Sequence, residues 1–173
     1  MRIEERDGLE SRADIAPLAA TVYPPEALAT IVWRHVVSAH ATRRILVYDG
    51  AALVSAAGML FRNGTVDGVA ASIAGIGGVM TLPTARRKGF GRTAMLAAHE
   101  VIERRQISAF GLLFCERKNI SFYQPLGWRV FDGTVIVEQP DAVGPYRVMP
   151  TLVRSFASVA PARGTIDLCG LPW

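Results

Sequence analysis

Cysteine is scarce in this chain, with two residues in 173, Cys115 and Cys169. Two cysteines make no disulfide framework, and neither stands at a ligand spacing from the three histidines, His35, His40 and His99. A reducing cytoplasm is the compartment this implies, and no metal is expected. Long apolar runs are also missing: none reaches the roughly 18–20 residues of a membrane-spanning helix, so no membrane partner is expected. The weakly polar stretch from Gly68 to Pro83 is rich in Gly and Ala and reads as a buried strand. The opening residues, MRIEERDGLESRAD, are charged and lack the apolar core of a secretory signal. There are no repeats, low-complexity tracts or long linkers, so residues 1–173 are expected to form a single domain. The net charge of +4 comes from scattered basic residues, and no zinc-finger, homeodomain-like or RRM-like pattern accompanies it. Nucleic acid is therefore not expected as a partner.

Half of the residues are hydrophobic and 20% charged, the composition of a globular chain with a sizeable core. MRIEER alternates as a strand does. SRADIAPLAATVY has Ser11 as N-cap and Ile15, Leu18, Ala19 and Val22 at helical spacing, and PPEALATIVWRHVVSAH begins with prolines suited to a first turn and reads as a second helix. RRILVYDG is a strand ending in an Asp49–Gly50 hairpin turn, with AALVSAAGMLFRNG as its partner and Asn63–Gly64 as the next turn. A long glycine-interrupted strand follows. The next helix, RTAMLAAHEVIERR, presents Met95, Leu96, His99 and Ile102, and then comes an apolar strand, ISAFGLLFC. ERKNISFYQPLGW is a short helix stopped near Pro125–Gly127. RVFDGTVIVEQ reads as a hairpin turning at Asp132–Gly133, and YRVMPTLVR and GTIDLCGLPW close the chain. The order strand–helix–helix–three strands–helix–strand–helix–strands makes a mixed α/β sheet with one strand–helix–strand crossover.

The stretch RRKGFGR, from Arg86 to Arg92, lies at the strand-to-helix turn of that crossover, where open sheets bind ligands. A helix start carries about four unpaired N–H groups and roughly half a positive charge. Gly89 and Gly91 let a ligand approach the backbone, and Arg86, Arg87, Lys88 and Arg92 add full charges. Together these predict a phosphate cradle. The spacing is not that of a P-loop, and the third glycine of a dinucleotide fingerprint is absent.

The pattern Arg86-x-x-Gly89-x-Gly91 after an apolar strand resembles the acetyl-CoA motif of the GCN5-related N-acetyltransferases (GNAT). FYQPLGW, Phe122 to Trp128, is similar to that superfamily's later helix, and the element order is also alike, so the resemblance covers nearly the whole chain. It implies a mostly antiparallel central sheet splayed at the CoA-binding crossover and flanked by helices. It implies acetyl-CoA as co-substrate, held by Val79, Met80, Thr81, Arg86, Arg87, Lys88, Gly89, Phe90, Gly91 and Arg92. Backbone donors from Gly78 to Thr81 at a strand bulge would face the thioester oxygen. Within the superfamily, GWRVFDGTVIVEQ and the final IDLCGLPW look similar to aminoglycoside 2′-N-acetyltransferases, including the kasugamycin-acetylating type. One departure stands out: Gly77 occupies the position where that group carries an acidic residue.

By the same resemblance Tyr123 is the general acid, its phenol remaining protonated beside a more acidic thiol. For the base, Glu116 is the candidate, with a solvated Glu at a helix start as an equal reading of the same residue; proton loss through ordered water is the alternative route. An aminoglycoside acceptor calls for carboxylates, and the candidates are Asp132, Asp167, Glu138, Asp67 and a docked Trp173, with Trp33 and His35 lining the acceptor side. Cys115, in an apolar run, is expected to be inert. The implied activity is acetyl transfer to a small aminoglycoside-type antibiotic, giving resistance or self-protection. A protein N-terminus, a lysine or a polyamine would be an alternative acceptor, and a non-catalytic acyl-CoA-binding module an alternative role. The apolar TVIVEQ and TLVRSF segments would permit a homodimer.

Overall fold

The computed structural model describes residues 1–173. Ten strands form one mixed sheet: β1 (Arg2–Asp7), β2 (Arg43–Asp49), β3 (Ala52–Val66), β4 (Val69–Thr81), β5 (Phe110–Phe114), β6 (Arg129–Val130), β7 (Asp132–Gln139), β8 (Ala142–Pro145), β9 (Thr151–Ser155) and β10 (Arg163–Asp167). Four helices accompany them: α1 (Arg12–Val22), α2 (Pro25–Leu28), α3 (Phe90–Arg105) and α4 (Ile120–Tyr123). All pairings are antiparallel except β4 with β5 and β7 with β10. The mixed, mostly antiparallel sheet expected from the sequence is what forms.

β3 organises the sheet. β4 runs along its whole length, while its other edge is shared by β2 near the start and by β10 at Thr65 and Val66. From β3 the order continues through β4, β5 and β9 to β6 on one side, and through β10 to β7 on the other. Only Phe131 separates β6 from β7, so the pairings close on themselves into a small barrel. Its interior is an apolar cluster of Ile73, Phe110, Leu112, Phe131, Val135 and Ile166 with their neighbours. Outside it, α3 covers β2, β3 and β4 with Ala94, Met95, Ala98, Val101 and Ile102, and α1 covers the opposite face, where Leu18 meets Leu46, Ala56 and Met80. At about 1.5–3 kcal/mol for each large apolar side chain buried, these faces dominate the stability of the helices.

Five local expectations change. The second helix stops after one turn, at Leu28. Beyond it, β-branched Thr30, Ile31, Val32, Val36 and Val37 disfavour the helix. The chain is instead clamped across the barrel: Gln139 exchanges hydrogen bonds with both backbone groups of Val37, and Ala39 N–H donates to Pro172 O. The β3–β4 turn lies at Asp67–Gly68, not Asn63–Gly64, because Gly64 is needed bare where the backbone of Asp167 passes against it. Asp132–Gly133 makes no turn; both residues pair in parallel with Arg163 and Gly164. Ser11 sits at the start of α1 without capping it. Its hydroxyl donates to Asp7 O and accepts from Arg44. On α3, Leu96 faces outward, and Ala94, Ala98 and Val101 complete the buried stripe.

Candidate active site

β4 and β5 pair only from Ile73 to Ile76, against Phe110 to Leu113. Beyond that point the strands part, leaving Gly77 to Thr81 without a partner on the β5 side. The β3 register slips there too: Gly58 opposes Gly77 but Ala56 opposes Met80, so β4 holds one extra residue. Gly78 takes φ +57°, as a bulge of this kind requires. Sequence and geometry thus agree on a bulge at the Gly77–Gly78 pair, with free backbone at the mouth of the splay.

The basic motif opens directly below. Arg87 and Gly89 both have positive φ, at 61° and 87°, and Gly89 is the residue before the first turn of α3. The amides of Arg87, Lys88 and Gly89 make no backbone hydrogen bond, and the first bond back to the loop is Thr93 N–H to Gly89 O at 2.9 Å. Arg86, Arg87, Lys88 and Arg92 form no ion pair with any carboxylate. All four are exposed. A Cβ on Gly91 would stand 3.0 Å from Thr81 Oγ1, so this position must stay bare for α3 to approach β4. A groove of about 800 Å³ runs over these residues, lined by Val79, Met80, Thr81, Arg86, Arg87, Gly89, Phe90, Gly91 and Arg92, with Lys88 at its edge and outside the lining. Free amides, a helix N-terminus and four unneutralised cations fit a phosphorylated ligand.

A second cavity, of about 320 Å³, lies on the α1 face. Six aromatic side chains line it: Tyr23, Trp33, Phe114, Tyr123, Tyr146 and Trp173. Trp33 stands edge-on to Tyr23, and Phe114 packs on Tyr146 with ring centroids 4.2 Å apart. Trp173 lies across β4 at the splay, donating its indole N–H to Leu112 O at 3.2 Å. This explains the glycines of β4. A Cβ on Gly75 would collide with the Trp173 indole, and one on Gly77 would stand 3.0 Å from the Trp173 backbone carbonyl carbon. An acidic side chain at 77 would require the Trp173 backbone to shift.

Of the expected acceptor residues, Trp33 and Trp173 are brought to this cavity. Asp132 and Glu138 lie exposed on β7, Asp67 accepts a hydrogen bond from Thr165 N–H in the β3–β4 turn, and Asp167 accepts one from Cys169 N–H. None of these four lines the cavity, nor does His35, whereas His40 does. Tyr23, Arg44, Phe114, Tyr146 and Met149 also line it and were not anticipated. They come from four separate segments, with Tyr146 and Met149 together in the β8–β9 connection, and no spacing links one segment to another.

The two cavities meet at Tyr23, Val79, Met80, Glu116, Asn119 and Tyr123. Burial, then Cys115 and Tyr23, push the Tyr123 phenol well above the usual tyrosine range, and it makes no hydrogen bond within the chain. It therefore stays protonated at any ordinary pH. Burial likewise raises Tyr23, with Glu116 adding to the shift. Glu116 is half-buried and paired with Lys118 at 2.8 Å. The Cys115 thiol is pushed up to about 11, by burial first and then by Glu116, which keeps it un-ionised and a poor nucleophile.

The fold has counterparts among solved structures. Escherichia coli ElaA superposes with a TM-score of 0.63 at 18% identity, over 89% of this chain and 99% of that one. Escherichia coli YhbS, a GNAT-family N-acetyltransferase solved in complex with CoA, gives 0.64 at 13% identity, over 96% and 88%. A GNAT-family acetyltransferase from Brucella melitensis, solved with acetyl-CoA, gives 0.59 at 13% identity, over 95% and 94%. At these identities the likeness is one of fold. No curated protein matches the chain. The sequence profile of the acetyltransferase (GNAT) domain matches residues 11–131, which take in α1, the β4 bulge, the basic turn, α3, β5 and Tyr123, and with more than half of its length so matched the chain belongs to the GNAT acetyltransferase family.

Proposed function

We propose that this chain is an acetyl-CoA-dependent N-acetyltransferase whose acceptor is a small amine held in the aromatic cavity. The observation that carries this reading is the junction, where a phosphate-suited groove and a compact apolar cavity share six residues beside an unpaired strand edge. Acetyl-CoA, when bound, supplies an activated acyl group and a thiol leaving group. Arg86 to Arg92 hold its phosphates, and the backbone of Val79, Met80 and Thr81 lies along its arm. Amides between Gly78 and Thr81 donate to the oxygen that gains charge; one such donor is typically worth about 2.7–4 kcal/mol. Tyr123 holds a proton on Oη and delivers it to the leaving group. Glu116, at the same junction, takes the proton of the attacking amine, directly or through water.

An aminoglycoside-type acceptor, with a role in resistance or self-protection, has Trp173 docked against the splay in its favour. A polycation, however, calls for several carboxylates, and Glu116 is the one acidic side chain among the cavity's lining residues. The geometry favours a small amine with an apolar body over a polycation. The test is CoA-thiol release from acetyl-CoA across kasugamycin, 2′-amino aminoglycosides, spermidine, a lysine peptide and aromatic amines, with mass spectrometry on the product. Acetylation of an aromatic amine is the expected result. Preferential acetylation of an aminoglycoside would reverse the choice of acceptor, and binding of acetyl-CoA without turnover of any amine would favour a non-catalytic module.

A further inference from the structure

The aromatic cavity contains one cation that the chain leaves uncompensated. Arg44, on β2, is 9% exposed and lines this cavity. It takes part in no ion pair. Its Nη1 donates to Gly8 O at 2.6 Å and to Ser11 Oγ at 2.7 Å, while Nε and Nη2 make no hydrogen bond within the chain. Burial lowers its pKa from the ordinary value, Arg12 pushes the same way, and Asp7 only partly offsets them. A guanidinium buried in this way is costly unless an anion meets it, and its planar fork of donors matches a carboxylate.

The sheet shows what such an anion would belong to. Arg44 sits directly opposite Gly58, and Gly58 directly opposite Gly77, so the three share one row and one face. All three line the cavity. Neither glycine presents a side chain; Ala41 packs over Gly58 and Trp173 over Gly77, and both of these residues also line the cavity. Two strand spacings, about 10 Å, separate the ends of this row. Glu116, the cavity's one acidic side chain, lines the same cavity, and six of its other lining residues are aromatic.

We infer that the acceptor carries a carboxylate that pairs with Arg44, in addition to its amine, with a compact apolar or aromatic body between them. The substrate class is then an aromatic or apolar amino acid or a close analogue, and Arg44 is its specificity-determining residue. The inference rests on the N-acetyltransferase reading for the role of the amine, but the carboxylate contact is measurable without turnover.

The experiment is equilibrium binding to the unaltered protein, followed by calorimetry and by fluorescence of Trp33 and Trp173, both of which line the cavity. L-phenylalanine is compared with phenethylamine, and 4-(aminomethyl)benzoate with benzylamine; tobramycin serves as the polycation. The better-fitting carboxylate should bind about tenfold or more tightly than its carboxylate-free counterpart, since a charge-assisted pair is at stake. That advantage should vanish in Arg44→Gln and be largely kept in Arg44→Lys. Equal affinity within both pairs, tighter binding of tobramycin, or no binding of either carboxylate overturns the inference. Arg44 also holds Gly8 and Ser11, so the variants could misfold; the ligand pairs on the unaltered protein decide the question in either case. Acetylation of phenethylamine as fast as phenylalanine would leave the acetyltransferase reading standing and remove Arg44 from it. Carboxylate-dependent binding with no acetyl transfer to any amine would do the reverse.

Discussion

In the proposed reaction, Tyr123 is the residue on which proton transfer turns. Buried, unpaired and held protonated, it can give a proton; it lines the groove only at the junction, away from the Arg86–Arg92 turn that suits phosphates, and a phenylalanine keeps its ring. Tyr123→Phe should therefore lower kcat about tenfold or more while the Kd for acetyl-CoA stays near its original value. Unchanged turnover would take the acid role from it. His99 makes a different point. It is buried against Trp128, whose Nε1–H donates to its Nε2 at 3.0 Å. Its pKa is pushed down to about 4, by burial first and then by Arg154. Between about 6.5 and 4 the unfolded chain takes up a proton that the folded one refuses, so stability should fall as pH drops through that window. His99→Gln keeps an acceptor for Trp128 and should flatten this dependence; urea midpoints from pH 4 to 8 would show it. Tyr123 and the basic turn were legible because their chemistry is written as a short contiguous pattern. Arg44, Tyr23 and Tyr146 were not, since a lone Arg on a strand and lone aromatics at element ends acquire meaning only when distant segments meet.

At the scale of elements, the turn into α3 does the most with the least. Its left-handed residue at Gly89 aims the first-turn amides into the groove. Gly89→Ala should cost about 1–2 kcal/mol of stability, because an L-residue resists this conformation, and should weaken acetyl-CoA binding as well. Arg92→Ala should weaken binding without loss of stability, and by less as salt is raised. Equal effects at low and high salt would count against a charge-based contact there. This turn could be read from sequence because the hydrophobic period changes on either side of it. The second helix could not: its apolar residues keep a helical spacing, yet Gln139 and Pro172, more than a hundred residues away, pin the same segment as an irregular strap. Asn63–Gly64 misled for the same reason, a local turn signal serving a long-range contact with Asp167.

Across the whole molecule, closure of the strands into a barrel ties the end of the described chain to its centre. β10 enters between β3 and β7, and the following residues carry Trp173 back to β4. Such pairings between residues about a hundred positions apart leave no periodic trace in sequence. They do leave glycines, and Gly75 is the clearest. Gly75→Ala should destabilise the fold by about 1–3 kcal/mol through overpacking against the indole. In a Trp173→Ala background the same change should cost far less, and a double-mutant cycle in urea would measure the difference. Additive costs would mean that the two residues do not meet. The layout of the cavities also has a kinetic consequence. On the proposed reading donor and acceptor occupy separate cavities that share a junction, so neither must leave before the other enters. Cys115, un-ionised in its apolar strand end, provides no covalent way-station. Initial rates plotted reciprocally at several fixed levels of the second substrate should therefore give intersecting lines. A parallel set would instead require that the acetyl group pause on the protein.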